Sequence, residues 1–530
     1  MTQLSKSKAP AVDKPIFIGT LILLFAIVLA VFFFPDASSN VINTIHTFIT
    51  TKLGFYYILF GIGRLGFCIW ISASRYGRIK FGRPEDKPEF SRFSWIAMLF
   101  CGGVGAGLVY WGFLECLNYY SGPALGIEPL SPQAAEAAMA YGPFHWGPIA
   151  YAMFSVSTCA AGYLLHVRRV NIFKISEICR GWLGSKVDGI TGRIIDIVFM
   201  FGVIAGSAAG LGLGTTLITA ILSTIFHVTD GIALQIGVLV VTAAIFAFST
   251  FLGLKKGMQM ISNANLILAF AVLFFILIMG DIVFILNMGV TAMGWLLQNF
   301  VRMATWLDPV EVSGGFPESW TVFFWAWWAV FGPYMGMFLA RISKGRTIRE
   351  TLLSTIGFGS LGCSCFFLIF GGFSMSLQLS GKYDLLTSMN ELGAPYAIVD
   401  AIRALPGSTV VLLVLAVIIT LFQATSYDGC SHILASNSQT SLDENNNSKR
   451  WLRMLWAFCS ALIPIAFLTL GSPLKPLQTA RIVGALPVSF IIIIAAVSFV
   501  KMVRADERSG VLKYDSAHEN PVYNDKADAE

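Results

Sequence analysis

Runs of about 20 apolar residues recur from one end of this 530-residue chain to the other, the length a helix needs to cross the hydrocarbon core of a bilayer. Twelve such segments stand near residues 15–35, 55–73, 93–119, 141–165, 194–222, 232–254, 261–289, 318–340, 350–378, 409–434, 454–470 and 482–500. With 56% hydrophobic and 12% charged residues, the composition fits a polytopic membrane protein. The first run exceeds the apolar region of a cleaved signal, which predicts a retained span. The expected fold class is therefore all-α, with 12 transmembrane helices.

Charge sets the expected orientation, because Lys and Arg are retained on the cytoplasmic side while short translocated loops are poor in them. The second, fourth, sixth, eighth and tenth connections hold six, six, two, four and three Lys or Arg, against none to two in each odd-numbered one. Both termini are expected inside, and the net charge of +6 reports topology, not nucleic-acid binding. Nine cysteines lie mostly within spans. Cys363 and Cys365 have no His or carboxylate cluster beside them, so they read as small buried hydrophobes rather than a metal or disulfide site.

Two stretches resemble each other at long range: SWIAMLFCGGVGAGLVYWG from Ser94 and SWTVFFWAWWAVFGPYMG from Ser319. Each opens on Ser-Trp, carries glycine near its middle and heads a set of five spans, an odd number that makes two copies enter from opposite sides. This predicts a first five-helix repeat over 93–289 and an inverted one over 318–503. Two leading helices and a basic loop (15–92), a cytoplasmic N-terminal tail (1–14) and an acidic cytoplasmic tail (504–530) complete the chain. Between the repeats, residues 290–317 place Trp295, Leu296, Phe300, Val301 and Trp306 so that one face is apolar, as in a helix lying on the outer surface. Inverted repeats with paired discontinuous helices point to a secondary transporter whose site lies near the bilayer midplane. The breaks are expected in CGGVGAG (Cys101 to Gly107) and at Gly332 and Pro333.

Four of the seven residues in CGGVGAG are glycine, which exposes backbone. Such backbone is tolerated in a bilayer where it lines a cavity; close helix packing is the alternative reading. In the eighth span, Phe324, Trp327, Trp328, Phe331 and Met335 follow at three- and four-residue steps, so they share one helical face. Rings clustered this way can enclose a quaternary ammonium group, whose charge is diffuse and which has no N–H to donate. Trp146, in FHWGPIAYAMF, offers another wall, while the neighbouring His145 reads as a capping or buried polar residue. Trp320 fits an interfacial belt. Arg64, Glu115, Asp196, Asp281 and Asp428 are the ionisable residues well inside spans, and Glu115, on the interrupted third one, ranks first as a functional candidate. No catalytic triad, nucleotide loop or paired-carboxylate site is present, so an enzyme is not expected.

WAWW (Trp325 to Trp328) followed by MFLARISKGRTIRE (Met337 to Glu350) closely resembles the signature of the betaine/choline/carnitine transporter family. FHWGP (Phe144 to Pro148), KKGMQMISNAN (Lys255 to Asn265) and ATSYDG (Ala424 to Gly429) match in the expected order, over roughly residues 15–503. The resemblance implies a fold similar to the sodium-coupled leucine transporter, a homotrimer, a bacterial inner membrane, and substrates bearing a trimethylammonium group and usually a carboxylate. It maps a central cage onto Trp146, Trp327, Trp328 and Phe331, with Met335 one turn on and Tyr151 and Phe154 at outer positions. The substrate carboxylate is expected near the backbone of Gly102, Gly103 and Gly105. A family sodium site maps onto Cys101, Val104, Phe422, Thr425 and Ser426, and a second falls on Ser207, where the family would carry Thr. Sodium-independent relatives place an Arg from the seventh span in the first site, and none occurs here from Ser262 to Phe274.

The expected function is thus sodium-coupled import of glycine betaine, choline or carnitine, with no cofactor beyond the coupling ion. A sodium-independent precursor/product exchanger is the alternative, because Glu115 and Met335 resemble carnitine-type exchangers while GGVGAG resembles betaine symporters. An ion channel would instead call for a ring of charge or carbonyls on symmetry-related copies. From Arg504 onward seven acids stand against four bases, so the tail is expected to be solvated, repelled by an anionic leaflet and no osmotic sensor.

Overall fold

A computed structural model describes residues 11–170, 173–252, 257–443, 447–468, 474–514 and 521–523. Residues 1–10 of the N-terminal tail, the basic pair Lys255 and Lys256, and residues 515–520 and 524–530 of the C-terminal tail lie outside them. The chain begins with α1 (Lys14–Phe33), α2 (Pro35–Lys52) and α3 (Gly54–Ala73), then α4 (Arg92–Val104) and α5 (Gly107–Ser121). Next come α6 (Pro132–His145), α7 (Pro148–Ala152), α8 (Ser155–Gly162), α9 (Ile175–Ile178) and α10 (Arg180–Leu183). The long helices α11 (Ile190–Phe226), α12 (Ile232–Leu252), α13 (Gln259–Met279) and α14 (Ile282–Thr305) follow, then α15 (Val322–Ile342) and α16 (Ile348–Leu379). Two short helices, α17 (Leu385–Glu391) and α18 (Ala394–Arg403), lead to α19 (Ser408–Asn437), α20 (Arg450–Leu468) and α21 (Leu474–Ser509). The protein is an all-α polytopic membrane protein: among the described residues eleven helices are long and apolar enough to span, α14 among them and α20 not, or twelve if the bent pair α4 and α5 is one span.

Burial sorts these helices into a centre and a perimeter. The fourth span, which runs from Pro132 to Val167, and the eighth, from Pro317 to Ile342, are each 94% buried over their most apolar stretch, against 22% for α1 and 28% for α12. Both central spans are therefore wrapped in protein, and the perimeter helices keep apolar side chains such as Ile22, Phe33, Val240 and Phe248 exposed, as a lipid solvent permits.

Three local features depart from the sequence reading. Pro35 opens α2 at a position where its missing N–H costs nothing, so residues 35–52, which the sequence analysis leaves as a connection between spans, form a helix packed on α21. Asp281 caps α14 through a 3.1 Å bond from the Phe284 amide, so the amphipathic helix starts at Ile282 rather than 290 and the seventh span stops at Met279. Its exposed stripe is Val283, Leu286, Val290, Leu297 and Val301, opposite buried Ile285, Gly289 and Ala292. Thirdly, the two glycine motifs behave differently. The chain bends by 59° between α4 and α5, where Gly105 adopts φ +56°, ψ −161°, a conformation that side-chain-bearing residues avoid. At Gly332 and Pro333, however, α15 runs on unbroken. Gly332 serves close packing instead: a Cβ there would stand 2.7 Å from the Met153 carbonyl oxygen, while the Gly332 carbonyl accepts a 3.3 Å bond from Ser157 Oγ.

The motif after α15 is a docking device. Arg346 lies over the Trp95 ring at 4.0 Å and donates to Glu350 at 2.6 Å and to the Phe90 carbonyl at 3.2 Å, while Trp95 Nε1 donates to Ser343 Oγ at 3.0 Å. The start of α4 is thereby clamped to the end of α15.

The C-terminal tail is not solvated along its first part. The last helix continues to Ser509, and Asp506 accepts two 2.8 Å bonds from Arg168 and one of 2.6 Å from Tyr163, while Glu507 pairs with Arg75 at 2.9 Å. Two of the seven acids are thus spent on ion pairs that anchor the helix to the second and fourth connections, a pairing that a net-charge count cannot reveal. Beyond it, Leu512–Tyr514 pairs antiparallel with Pro521–Tyr523, and Tyr514 lies under Arg75 at 5.1 Å. Deleting residues 510–530 is expected to leave uptake into proteoliposomes within about twofold of wild type and insensitive to osmolality, because the Asp506 anchor remains and an exposed cation–π contact contributes only about 0.5–1 kcal/mol. A several-fold osmotic activation abolished by the deletion would contradict this.

Candidate functional site

The unbroken eighth span carries its aromatic face into the middle of the molecule. Phe324 and Trp327 stack at 5.6 Å, Trp327 and Trp328 are nearly coplanar in tilt at 6.5 Å, and Phe331 meets Trp328 edge-on at 6.2 Å. Trp146 comes from the other central span. It stands at the turn where α6 ends and Gly147–Pro148 starts α7, so its ring projects away from both helices. There it meets Trp327 at 5.4 Å and Trp328 at 5.3 Å, both near perpendicular. Trp146, Trp327, Trp328 and Phe331, with Phe324 behind them, line a cavity with about 480 Å³ of empty space, part of it open to the outside. Tyr334, 4.5 Å from Phe331, completes the aromatic wall.

The polar edges of two tryptophans are turned away from that cavity. Trp146 Nε1 donates to Glu115 Oε1 at 2.7 Å, and Trp328 Nε1 donates to the His145 carbonyl at 3.0 Å. Glu115 Oε2 accepts from Tyr119 at 3.0 Å; Tyr119 Oη is 3.0 Å from His145 Nδ1, and His145 Nε2 is 3.2 Å from Thr321 Oγ1. All four residues are buried, and a buried network in which each member has partners rigidifies what it holds. Glu115 does not line the cavity; it is the hydrogen-bond acceptor that fixes the Trp146 ring. Among the described residues the cavity lining carries no Asp, Glu, Lys or Arg.

The opposite wall is the break between α4 and α5. Gly103 and Gly105 line the cavity together with Ala106, which caps α5, and Gly107, its first residue. A Cβ on Gly107 would come within 3.2 Å of both Trp146 and Trp327, so the backbone reaches the rings only because no side chain intervenes. Gly102 is one layer back: its carbonyl faces Tyr334 Oη at 3.4 Å, and Met335 packs against its Cα. Met335 itself is fully buried and absent from the lining. Tyr151 and Phe154 also stand behind the wall, 5.7 and 5.8 Å from the Trp328 ring, with Tyr151 Oη 3.2 Å from Cys363 Sγ. The structure therefore brings Trp146, Trp327, Trp328, Phe331, Gly103 and Gly105 to one cavity and places Met335, Tyr151, Phe154 and Gly102 behind it.

The third wall is α19. Ser426 Oγ is buried without a hydrogen-bond partner and lines the cavity, and a Cβ on Gly105 would stand 3.1 Å from it. Thr425 Oγ1 bonds back to the carbonyls of Leu421 (3.1 Å) and Phe422 (3.0 Å), and Cys101 Sγ donates to the Ser262 carbonyl at 3.5 Å. The side chain of Val104 is outside the described part of the structure. Ser207 lines the cavity too; its Oγ bonds to the Ile204 carbonyl at 3.0 Å and its carbonyl accepts from Tyr427 Oη. Tyr334, Gln423, Tyr427 and Cys430 are lining residues the sequence reading missed. A signal existed: Gln423, Ser426, Tyr427 and Cys430 follow at three- and four-residue steps, the same rule that picked out the tryptophans.

Comparison with known proteins agrees with this architecture. A family model described as "BCCT, betaine/carnitine/choline family transporter" matches residues 15–508. The probable glycine betaine transporter of Desulfitobacterium hafniense is 35% identical over 484 residues, covering 89% of this chain and 94% of that protein. The glycine betaine transporter OpuD of Bacillus subtilis is 32% identical over 476 residues (89% and 91%), and a carnitine transporter of Acinetobacter baumannii is 29% identical over 494 (93% and 89%). A family match across nearly the whole chain, with relatives named as transporters, leaves one conclusion. This multi-pass membrane protein is a transporter, not an enzyme, and belongs to the betaine/carnitine/choline transporter family.

Proposed function

We propose that the protein imports a small quaternary ammonium compound of the glycine betaine, choline or carnitine type by sodium symport with alternating access. The observation that carries this reading is a charge-free aromatic cage whose Trp146 and Trp328 N–H edges are tied to the scaffold. A trimethylammonium group needs ring faces and no hydrogen-bond acceptor, and the cage supplies that. A primary amine would lose its hydration shell against the ring faces, which offer its N–H groups no lone pair in return. A substrate carboxylate is matched by the start of α5, where the first amides of a helix have no intrahelical partner and carry partial positive charge. Gly103 and Gly105 are the backbone next to it, with Gly102 behind.

Sodium is the coupling ion in this reading. The orphaned Ser426 Oγ beside Gly105, with Thr425 and the Phe422 carbonyl one turn away on α19 and the carbonyls of Cys101 and Val104 at the end of α4, forms an all-oxygen ligand set suited to a hard monovalent cation. Ser207, the hydroxyl of α11 that lines the cavity, would serve a second ion. Thr425→Ala or Ser426→Ala is expected to raise the sodium concentration for half-maximal uptake about tenfold, one lost ligand costing on the order of 1.5 kcal/mol. Uptake of labelled betaine, choline and carnitine into proteoliposomes, with sodium or potassium alone, tests the whole reading. Equal rates in potassium would replace the symporter with an exchanger.

The same reading takes α1 and α3 as the two leading helices, the spans from α4 to α13 as one five-helix repeat and those from α15 to α21 as its inverted copy. It also sets both termini in the cytoplasm of a bacterium, in a homotrimer. Protease protection of tags at each terminus and the mass of the detergent-purified particle check these points.

A further inference from the structure

Among the described residues, Arg64 is a cation well inside a span that neither the cage nor the loop clamps use. It stands midway along α3, is 5% exposed, and has no ion pair among the described residues. One terminal nitrogen donates to the Met153 carbonyl at 2.5 Å, while Nε and the other terminal nitrogen are buried without partners. Phe60 at 5.9 Å gives it a ring face. A guanidinium held in a bilayer-spanning segment with so few acceptors is costly, and such residues are retained for function.

What it holds is a joint. Met153 and Phe154 form the turn between α7 and α8, a second interruption of the fourth span after Trp146–Gly147. Hydroxyls stitch its other carbonyls: Ser155 Oγ donates to Ala152 at 2.6 Å and Thr158 Oγ1 to Phe154 at 2.8 Å. The cage helix rests directly on this joint. A Cβ on Gly332 would meet the Met153 carbonyl at 2.7 Å and one on Gly336 the Phe154 carbonyl at 2.5 Å. The Phe154 ring touches Trp328 at 5.8 Å and Phe331 at 6.2 Å. A shift of this turn therefore moves two cage rings.

We propose that Arg64 is a positioning residue for the substrate cage, acting through the Met153 carbonyl to hold this break of the fourth span against α15. This rests on the cage reading above. Arginine is suited to the task because its fork reaches a carbonyl from a buried stem while its spare donors stay available to the joint as the span moves through the transport cycle.

The test uses purified full-length protein and calorimetric titration with glycine betaine, choline and carnitine, beside melting of the substrate-free protein. Arg64→Met is expected to weaken binding of the compound that wild type prefers about tenfold without lowering the melting temperature, because a buried, under-satisfied cation is replaced by an apolar side chain of similar length. Arg64→Lys, which keeps one donor and the charge, is expected to recover most of the affinity. Wild-type affinity in a folded Arg64→Met protein would overturn the proposal, as would a loss of affinity in Arg64→Lys equal to that in Arg64→Met. If Arg64→Met does not fold, the Arg64→Lys and Arg64→Gln pair decides by the same comparison. Absence of binding by wild type to all three compounds would instead defeat the cage reading.

Discussion

Replacing Trp328 with alanine is expected to weaken binding of a quaternary ammonium substrate about thirty-fold, and Trp327→Ala by a similar factor. Each indole is nearly dry, 2% and 7% exposed, so its negative face attracts a cation with little solvent screening. A desolvated ring of this kind contributes about 2 kcal/mol, and each 1.4 kcal/mol is a factor of about ten. The two variants differ in what else they disturb. Trp328 also donates to the His145 carbonyl and packs on Tyr151 and Phe154, so Trp328→Ala carries an added packing loss that Trp328→Phe largely avoids. Calorimetry on the substrate each variant transports, with melting as the control for packing, separates the two contributions. Unchanged affinity in both alanine variants would remove the cage from the mechanism.

Glu115→Ala is expected to lower substrate affinity about tenfold or more and to destabilise the protein, while Glu115→Gln keeps most of both. The argument rests on hydrogen-bond satisfaction. Alanine leaves Trp146 Nε1 as a buried donor with no acceptor, a loss of about 1–3 kcal/mol, and frees the ring that closes the cage over Trp327 and Trp328. Glutamine offers the same carbonyl oxygen to Trp146 and a donor toward Tyr119, whose hydroxyl can turn to His145. A Glu115→Gln protein as impaired as Glu115→Ala would show that the negative charge itself, and not the acceptor, matters at this position.

Much of the transporter was legible in the chain because its signals are local. Twelve apolar runs, and an aromatic stripe at three- and four-residue steps, follow from helical periodicity and bilayer thickness alone. The aromatic stripe indicated Trp327, Trp328 and Phe331, the resemblance mapped Trp146 beside them, and all four line one cavity. The errors share a cause. Met335 lies on the same stripe as Phe331 but points at Gly102, while Tyr334, one residue earlier, reaches the cavity; periodicity resolves a face and cannot resolve which edge of it a neighbouring helix covers. Pro333 was read as a break, yet α15 continues through it because Ser157 serves the Gly332 carbonyl and the fourth span packs against the glycine.

Sequence alone was enough for whatever depends on a residue and its near neighbours: the membrane class, most of the spans, and a glycine at the bend between α4 and α5. Tertiary contacts decided everything that needs a partner distant in the chain. Glu115 became the acceptor for Trp146, Asp506 the anchor of Arg168, Ser426 the hydroxyl beside Gly105, and Arg64 the donor to Met153. Each of these pairs is 31 to 338 residues apart in sequence, so no local pattern announces it. In an apolar medium a polar atom is satisfied only by whichever helix happens to pack against it, and that choice belongs to the assembled fold.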